Sequence, residues 1–211
     1  IGTVTTGACL SVVSQTKADN MFQITPSASA AKVIANDNCF QVCFTDPNQG
    51  TASADYIASK GLATKVAVIY NSSDAYSSGI YDNFKAEAAA KGLDLVASEA
   101  FTGDSKQDFS SQLSKIKASG AELIFLPIYY QEASLILSQA KNAGITAKFF
   151  GCDGLDGLLN IENFDKSLAE NVMLLTPFAA NATDETTKKF VTAYNAKYDP
   201  STLNQFAADA Y

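Results

Sequence analysis

The sequence predicts an α/β protein of two lobes, each built on a doubly wound parallel sheet, with the second lobe complete and the first partial. Strand-like and helix-like stretches alternate from about residue 65 to residue 175 and supply five strands. Such alternation implies βαβ units and a parallel sheet. Residues 1–44 and 176–211 hold only fragments of a second layer of this kind. Two crossings, near Thr45 and Leu175, then divide the chain into 1–45 in the first lobe, 46–174 in the second, and 175–211 returning to the first.

The elements follow in order. Ala8 to Asp19 carries Leu10, Val12 and Val13 among Ser and Lys, behind the hydroxyls of Thr5-Thr6, and reads as a short helix opening on a polar loop. Met21-Phe22-Gln23-Ile24 is a strand stopped by Thr25-Pro26, and Phe40 to Phe44 is a second apolar run ended at Asp46-Pro47. Gln49 to Lys60 is helical. Lys65-Val66-Ala67-Val68-Ile69-Tyr70 is a continuous β-branched run of the kind that fills a sheet covered on both faces. It meets the capping cluster Asn71-Ser72-Ser73-Asp74 and a helix through about Lys91, ended by Gly92. The unit repeats with strands at 93–100, 122–126, 148–150 and 172–175, and with helices at 109–118 and 132–142 between them. Helices at 183–194 and 203–211 close the chain.

Composition narrows the chemistry. The net charge is −7 and all 15 basic residues are lysine, so no arginine is present to fork onto phosphate or guanine, and nucleic-acid binding is not expected. Histidine is absent, which excludes Ser-His-Asp and Cys-His mechanisms within this chain and removes the commonest metal ligand. Cys9, Cys39, Cys43 and Cys152 read as free, mostly buried thiols. Cys39 and Cys43 are separated by three residues with no histidine to complete a zinc site, so no metal is expected, and neither a Walker A pattern nor G-x-G-x-x-G occurs, so no nucleotide cofactor is expected. No apolar run is long enough to span a membrane. The chain opens on Ile1 and reads as a piece of a longer protein whose export signal, if it has one, lies upstream.

Open parallel sheets bind ligands at the carboxyl ends of their strands. The loops at those ends here are Thr5-Thr6-Gly7-Ala8, Ser27-Ala28-Ser29, Asn71 to Tyr76, Ile128-Tyr129-Tyr130-Gln131-Glu132, and Gly151-Cys152-Asp153-Gly154. The first two offer hydroxyls and N–H groups with no acid of their own, which suits a ligand carboxylate. The others add tyrosines and one firmly placed acid, Asp153, and donors facing an acid match a zwitterion. Ser72 and Ser73 read as helix caps. The glycines beside Asp153 read as the means of a sharp turn that presents the acid.

These motifs resemble the type I periplasmic binding proteins, specifically the branched-chain amino-acid (Leu/Ile/Val) binding proteins of ABC transporters. The likeness runs through Thr5-Thr6-Gly7-Ala8, Thr25-Pro26-Ser27-Ala28-Ser29, Phe40 to Gly50, Asp74-Ala75-Tyr76-Ser77-Ser78-Gly79 and Gly151-Cys152-Asp153-Gly154, in the expected order. It implies that Thr6, rather than Thr5, together with Ser27, Ala28 and Ser29 holds an amino acid's carboxylate and part of its ammonium. By the same likeness Tyr76 closes over the ligand, Tyr129 lines the pocket, and Asp153 pairs with the ammonium. It further implies a monomeric, hinged protein, periplasmic or extracellular and in some members lipid-anchored, delivering its ligand to permease and ATPase subunits. Gln41 and Leu155 depart from the family pattern, which more often has an arginine and an aromatic there. A ligand sensor of the same fold and a hydrolase of small amides are the rival readings. Family members extend further at both ends, so the 211-residue chain alone is expected to bind an amino acid more weakly than a longer parent; equal affinity in calorimetry would mean that the additional segments do not build the pocket.

Overall fold

The computed structural model describes residues 1–211. Its helices and strands are α1 (Thr6–Leu10), α2 (Val13–Ala18), β1 (Gln23–Thr25), β2 (Cys39–Gln41), α3 (Asp46–Ser59), β3 (Lys65–Asn71), α4 (Ala75–Ala90) and β4 (Asp94–Phe101). They continue with α5 (Ser110–Ser119), β5 (Leu123–Leu126), α6 (Tyr130–Asn142), β6 (Lys148–Gly151), β7 (Val172–Leu174), α7 (Glu185–Asn195) and α8 (Gln205–Ala210). Five strands form one sheet in the order β4-β3-β5-β6-β7, every neighbouring pair parallel. The first lobe contributes the separate parallel pair β1-β2.

Strand alternation sorts the large sheet's side chains onto two faces. Val66 and Val68 of β3 and Leu123 and Phe125 of β5 pack with Ala54 and Ile57 of α3 and Ile80, Phe84 and Ala88 of α4. Their neighbours Ala67, Ile69, Ile124 and Leu126 pack on the other face against Leu113 and Ile116 of α5 and Ala133, Ile136 and Ala140 of α6. Both faces are therefore dry, and the uninterrupted apolar run of β3 is what such a position selects. Phe84 and Phe125 stack with ring centroids 4.1 Å apart, joining α4 to the middle of the sheet.

The first lobe departs from the pattern read in the sequence. The single helix expected over Ala8–Asp19 is two short ones, because at Ser11 the chain leaves the helix with its hydroxyl bonded to the Ala8 carbonyl at 2.7 Å. This local side-chain bond offers the backbone an alternative to the helical ladder. The first strand starts two residues late: Met21 and Phe22 are exposed, and Phe22 instead stacks on Phe40 at 5.4 Å. The run Phe40–Phe44 is a strand only at its start. α3 begins at Asp46 rather than Gln49, since Pro47 is acceptable in a first helical turn, where its missing N–H has no intrahelical partner to lose.

α3 and α4 approach more closely than side chains would allow. A methyl group at Gly50 would sit 2.4 Å from the Ile80 carbonyl oxygen and 2.7 Å from the Phe84 nitrogen, both backbone atoms. Alanine is ordinarily favoured over glycine inside a helix by about 1 kcal/mol. Here overpacking of roughly 1–3 kcal/mol opposes that gain, and rigid backbone on the far side leaves nothing to yield. Gly50→Ala is expected to lower the melting temperature by several degrees in thermal denaturation; an unchanged or higher value would show that the two helices can separate.

Candidate functional site

The order of the large sheet reverses direction between β3 and β5, since β4 lies on one side of β3 and β5 on the other. At such a switch point the loops leaving adjacent strands diverge and open a crevice. β3 runs out through Asn71 to the start of α4, whose N-cap is Asp74, its carboxylate accepting the Tyr76 N–H at 3.3 Å. Ser72 and Ser73 do not cap α4. The Ser72 hydroxyl donates to the Phe101 carbonyl, and Ser73 Oγ donates to Asn71 Oδ1 and accepts the Gly103 N–H. Those bonds tie the loop between β3 and α4 to the end of β4, and the capping position falls to Asp74. Tyr76 and, beyond β5, Tyr129 stack with centroids 4.7 Å apart.

β6 delivers Asp153 to the same place. Its carboxylate is 2% exposed and accepts the Tyr76 hydroxyl at 2.6 Å and the Gln205 amide at 3.2 Å. The Tyr76 oxygen in turn accepts the Gly154 N–H at 2.9 Å, and Gln49 Oε1 accepts the N–H of Asp153 at 3.2 Å. Burial raises the Asp153 pKa, and the hydrogen bonds donated by the Tyr76 hydroxyl and the Gln205 amide work against the rise, with Gln49 and Gly154 nearby acting in the same direction. None of the seven lysine–carboxylate pairs of the chain includes Asp153.

The flanking glycines have another purpose than a sharp turn, because neither adopts a left-handed backbone. A methyl group on Gly154 would meet the Tyr76 hydroxyl at 2.6 Å and the Ile128 carbonyl at 2.7 Å, and one on Gly151 would meet Leu155 Cδ2 at 2.3 Å. Gly154 is small so that the Tyr76 hydroxyl can close on the acid and its backbone, and Gly151 so that Leu155 can pack against the strand end. Leu155, where an aromatic was the expectation from the family pattern, is buried and fills that space. Cys152 is buried behind the acid beside Ser53, and all four thiols are free.

From the first lobe, Thr6 is buried and its hydroxyl oxygen accepts the N–H groups of Ser29 (3.2 Å) and Ala30 (3.3 Å). The Ala28 N–H goes to Thr25 Oγ1 at 3.1 Å. Ser27, Ala28 and Ser29 are all buried. The Thr5-Thr6 loop and the Tyr129 loop border a common cavity, so the two groups of residues named from the sequence face one another. Thr5 takes a different position: with Tyr129, Tyr130, Lys106, Glu132 and Phe206 it lines an open cavity of about 510 Å³.

Three residues of the site escaped the sequence reading. Asp46 places an acid beside the hydroxyl loops that were read as acid-free: its N–H donates to the Ser29 carbonyl at 3.0 Å, and its carboxylate is buried with neither oxygen hydrogen-bonded. Gln49, one turn further along α3, has an unpartnered Nε2. Both belong to the stretch Thr45-Asp46-Pro47-Asn48-Gln49-Gly50 and were visible there as polar residues opening a helix. Gln205 had no local signal; α8 brings it to Asp153 from 52 residues away.

Comparison with known proteins gives the family and the fold. The family model described as "Periplasmic binding protein" matches residues 1–211. A Leu/Ile/Val-binding protein homolog 3 of Brucella melitensis is 31% identical over 99% of the chain and 57% of its own length. A leucine-, isoleucine-, valine-, threonine- and alanine-binding protein of Pseudomonas aeruginosa is 29% identical over 92% of the chain and 51% of its own length. The crystal structure of a branched-chain amino-acid transporter substrate-binding protein from Streptococcus pneumoniae in complex with isoleucine superposes with a TM-score of 0.88, at 29% identity, over the whole chain and 60% of that protein. The chain thus spans between half and three-fifths of the length of these relatives, and with its full length matched it belongs to the type I periplasmic binding proteins.

Proposed function

We propose that this chain is the greater part of a solute-binding protein that captures a small aliphatic amino acid between two lobes and presents it to an ABC permease and its ATPase subunits. Asp153 carries the reading. A carboxylate almost wholly removed from water, held by neutral donors and without a lysine, has its charge only partly compensated, and uncompensated buried charge is costly. The primary ammonium of an amino acid supplies the missing cation. The names of the relatives, which bind leucine, isoleucine and valine, point to the same ligand class.

In this reading Asp153 takes the ammonium, Tyr76 and Tyr129 form the wall of the second lobe, and Thr6 with Ser27, Ala28 and Ser29 receives the carboxylate. The Ser29 and Ala30 amides are occupied by Thr6 Oγ1 in the structure. The ligand carboxylate would therefore draw on the Thr6 and Ser29 hydroxyl hydrogens or displace Thr6 from those amides. Closure follows from differential affinity: contacts made to both lobes at once exist only in the closed form, so the ligand shifts the equilibrium towards it. Charge-assisted hydrogen bonds contribute roughly 1.5–3 kcal/mol each, and a few of them made on closure supply micromolar affinity, about −8 kcal/mol. The lobes would divide at 45/46 and 174/175. The working protein is placed outside the cytoplasmic membrane as a monomer, free or lipid-anchored; no helix of the chain is itself long and apolar enough to cross a membrane.

Asp153→Ala is expected to weaken binding of leucine or isoleucine at least tenfold, about 1.4 kcal/mol, in calorimetry on the intact protein. Unchanged affinity would remove Asp153 as the ammonium partner. In the same titrations, 4-methylpentanoate, which keeps the carboxylate and the aliphatic chain but lacks the ammonium, should bind the wild type far more weakly than leucine and should discriminate little between wild type and Asp153→Ala.

A further inference from the structure

The unpartnered polar atoms of the site are not scattered. Both oxygens of Asp46, the hydroxyl of Ser29 and the Nε2 of Gln49 are buried without a hydrogen-bond partner, and they belong to one neighbourhood. Ser29 and Asp46 are joined through the backbone at 3.0 Å, while Asp46 and Gln49 lie a turn apart on the same face of α3. Gln49 reaches on to the Asp153 backbone. Buried polar groups are normally paired, and a cluster of exceptions calls for an explanation. α4 presents Gly79 to Asp46, its Cβ position 3.5 Å from the Asp46 Cβ, so that the helices leave room for the acid but give it no donor.

We propose that Asp46 is the second acid of the ligand site, sharing the ligand's primary ammonium with Asp153, and that the ammonium replaces a proton held by Asp46 in the unliganded protein. The inference rests on the amino-acid reading above and adds to it a residue and a coupled ion.

The two acids are unequal in a way that fixes their roles. Asp153 has the Tyr76 hydroxyl and the Gln205 amide to stabilise its ionised form; Asp46 has no such bond, and Ser29 Oγ lies beside it, near enough to favour the charge but outside hydrogen-bond geometry. Burial, assisted by the charges of Asp153 and Asp74, pushes the Asp46 carboxyl up to about 7. The other titratable groups that bear on it are Cys43 ahead of α3, Tyr129 after β5 and Cys152 after β6, all weak acids that are neutral near pH 7, and no lysine acts on it. Neighbouring carboxyl groups in unequal surroundings ionise in turn. Before binding the pair holds one proton and one negative charge. Afterwards it holds an ammonium and two negative charges, so the net charge of the acids and the ammonium together is the same. The proton leaves to solvent, and the ammonium's three N–H groups supply one donor for each acid and one for a hydroxyl.

Linkage sets the pH dependence. Above the pKa of unliganded Asp46 no proton needs to leave and the affinity is flat. Below it, affinity falls by up to tenfold per pH unit as the pH drops towards the lower pKa of the ligand-bound form.

The test is calorimetric titration of the intact protein with leucine between pH 5.5 and 8, in buffers of different ionisation enthalpy so that released protons are counted. The expected result is release approaching one proton near pH 6, falling towards none by pH 8, with affinity dropping about tenfold between pH 6.5 and 5.5. Asp46→Asn should bind at least tenfold more weakly at pH 8 and lose both the proton release and the pH slope. Unliganded, it should melt at a higher temperature than wild type at pH 8, because a buried charge is gone. Leucine binding that needs Asp153 but is unaffected by Asp46→Asn, or a proton release that persists in that variant, would overturn the inference alone. Absence of binding by leucine, isoleucine, valine and alanine to the wild type would overturn the amino-acid reading and this inference with it.

Discussion

The hydrogen bond between the Tyr76 hydroxyl and Asp153, at 2.6 Å, ties together parts of the chain that are 77 residues apart and would otherwise share only a sheet. It fixes the start of α4 against the end of β6. The same tyrosine oxygen holds the Gly154 amide, so the acid and its own backbone are both referred to one ring. That ring is in turn held by stacking on Tyr129, which comes from the strand lying between β3 and β6 in the sheet. Three strand ends therefore converge on one point. The buried carboxyl of Asp153 is met by two donors, the Tyr76 hydroxyl and the Gln205 amide.

The large sheet was legible in the sequence because its constraint is local. A strand buried on both faces must be apolar at every position, and Val66 to Ile69 and Leu123 to Leu126 show that directly. The positive φ values of Gly92 and Gly120 mark the ends of α4 and α5 where the sequence placed them. The first lobe was harder to read, for a physical reason. Its strands are three residues long, its core is a small cluster around Cys9, Ala28, Val33 and Cys39, and exposed residues such as Phe22 stack in ways that mimic a strand pattern.

The site divides along the same line. Tyr76, Tyr129 and Asp153 could be found by asking what stands at strand ends, since that position follows from the βαβ rule. Asp46 was read as a terminator of an apolar run, which it is, and nothing in a linear sequence says that a helix-opening aspartate turns inward without a donor. Gln205 depends on where α8 docks, a matter of tertiary packing with no periodicity to announce it. Gly154 was noticed for the wrong property: its value lies in the missing Cβ rather than in backbone freedom.

The contact at Gly50 has a mechanical consequence. Backbone pressed against backbone leaves α3 and α4 no compliant side-chain layer in which to slide, so in a close-packed interior they move as one plate. Asp46 at the head of one helix and Tyr76 at the head of the other are thereby held at a constant separation, like the fixed jaw of a caliper. In the proposed closure, displacement of the β1-β2 layer relative to that jaw would fall to the crossings near 45/46 and 174/175, among them Val42 to Thr45 between the end of β2 and the start of α3, where backbone rotations would be absorbed without breaking a strand or a helix.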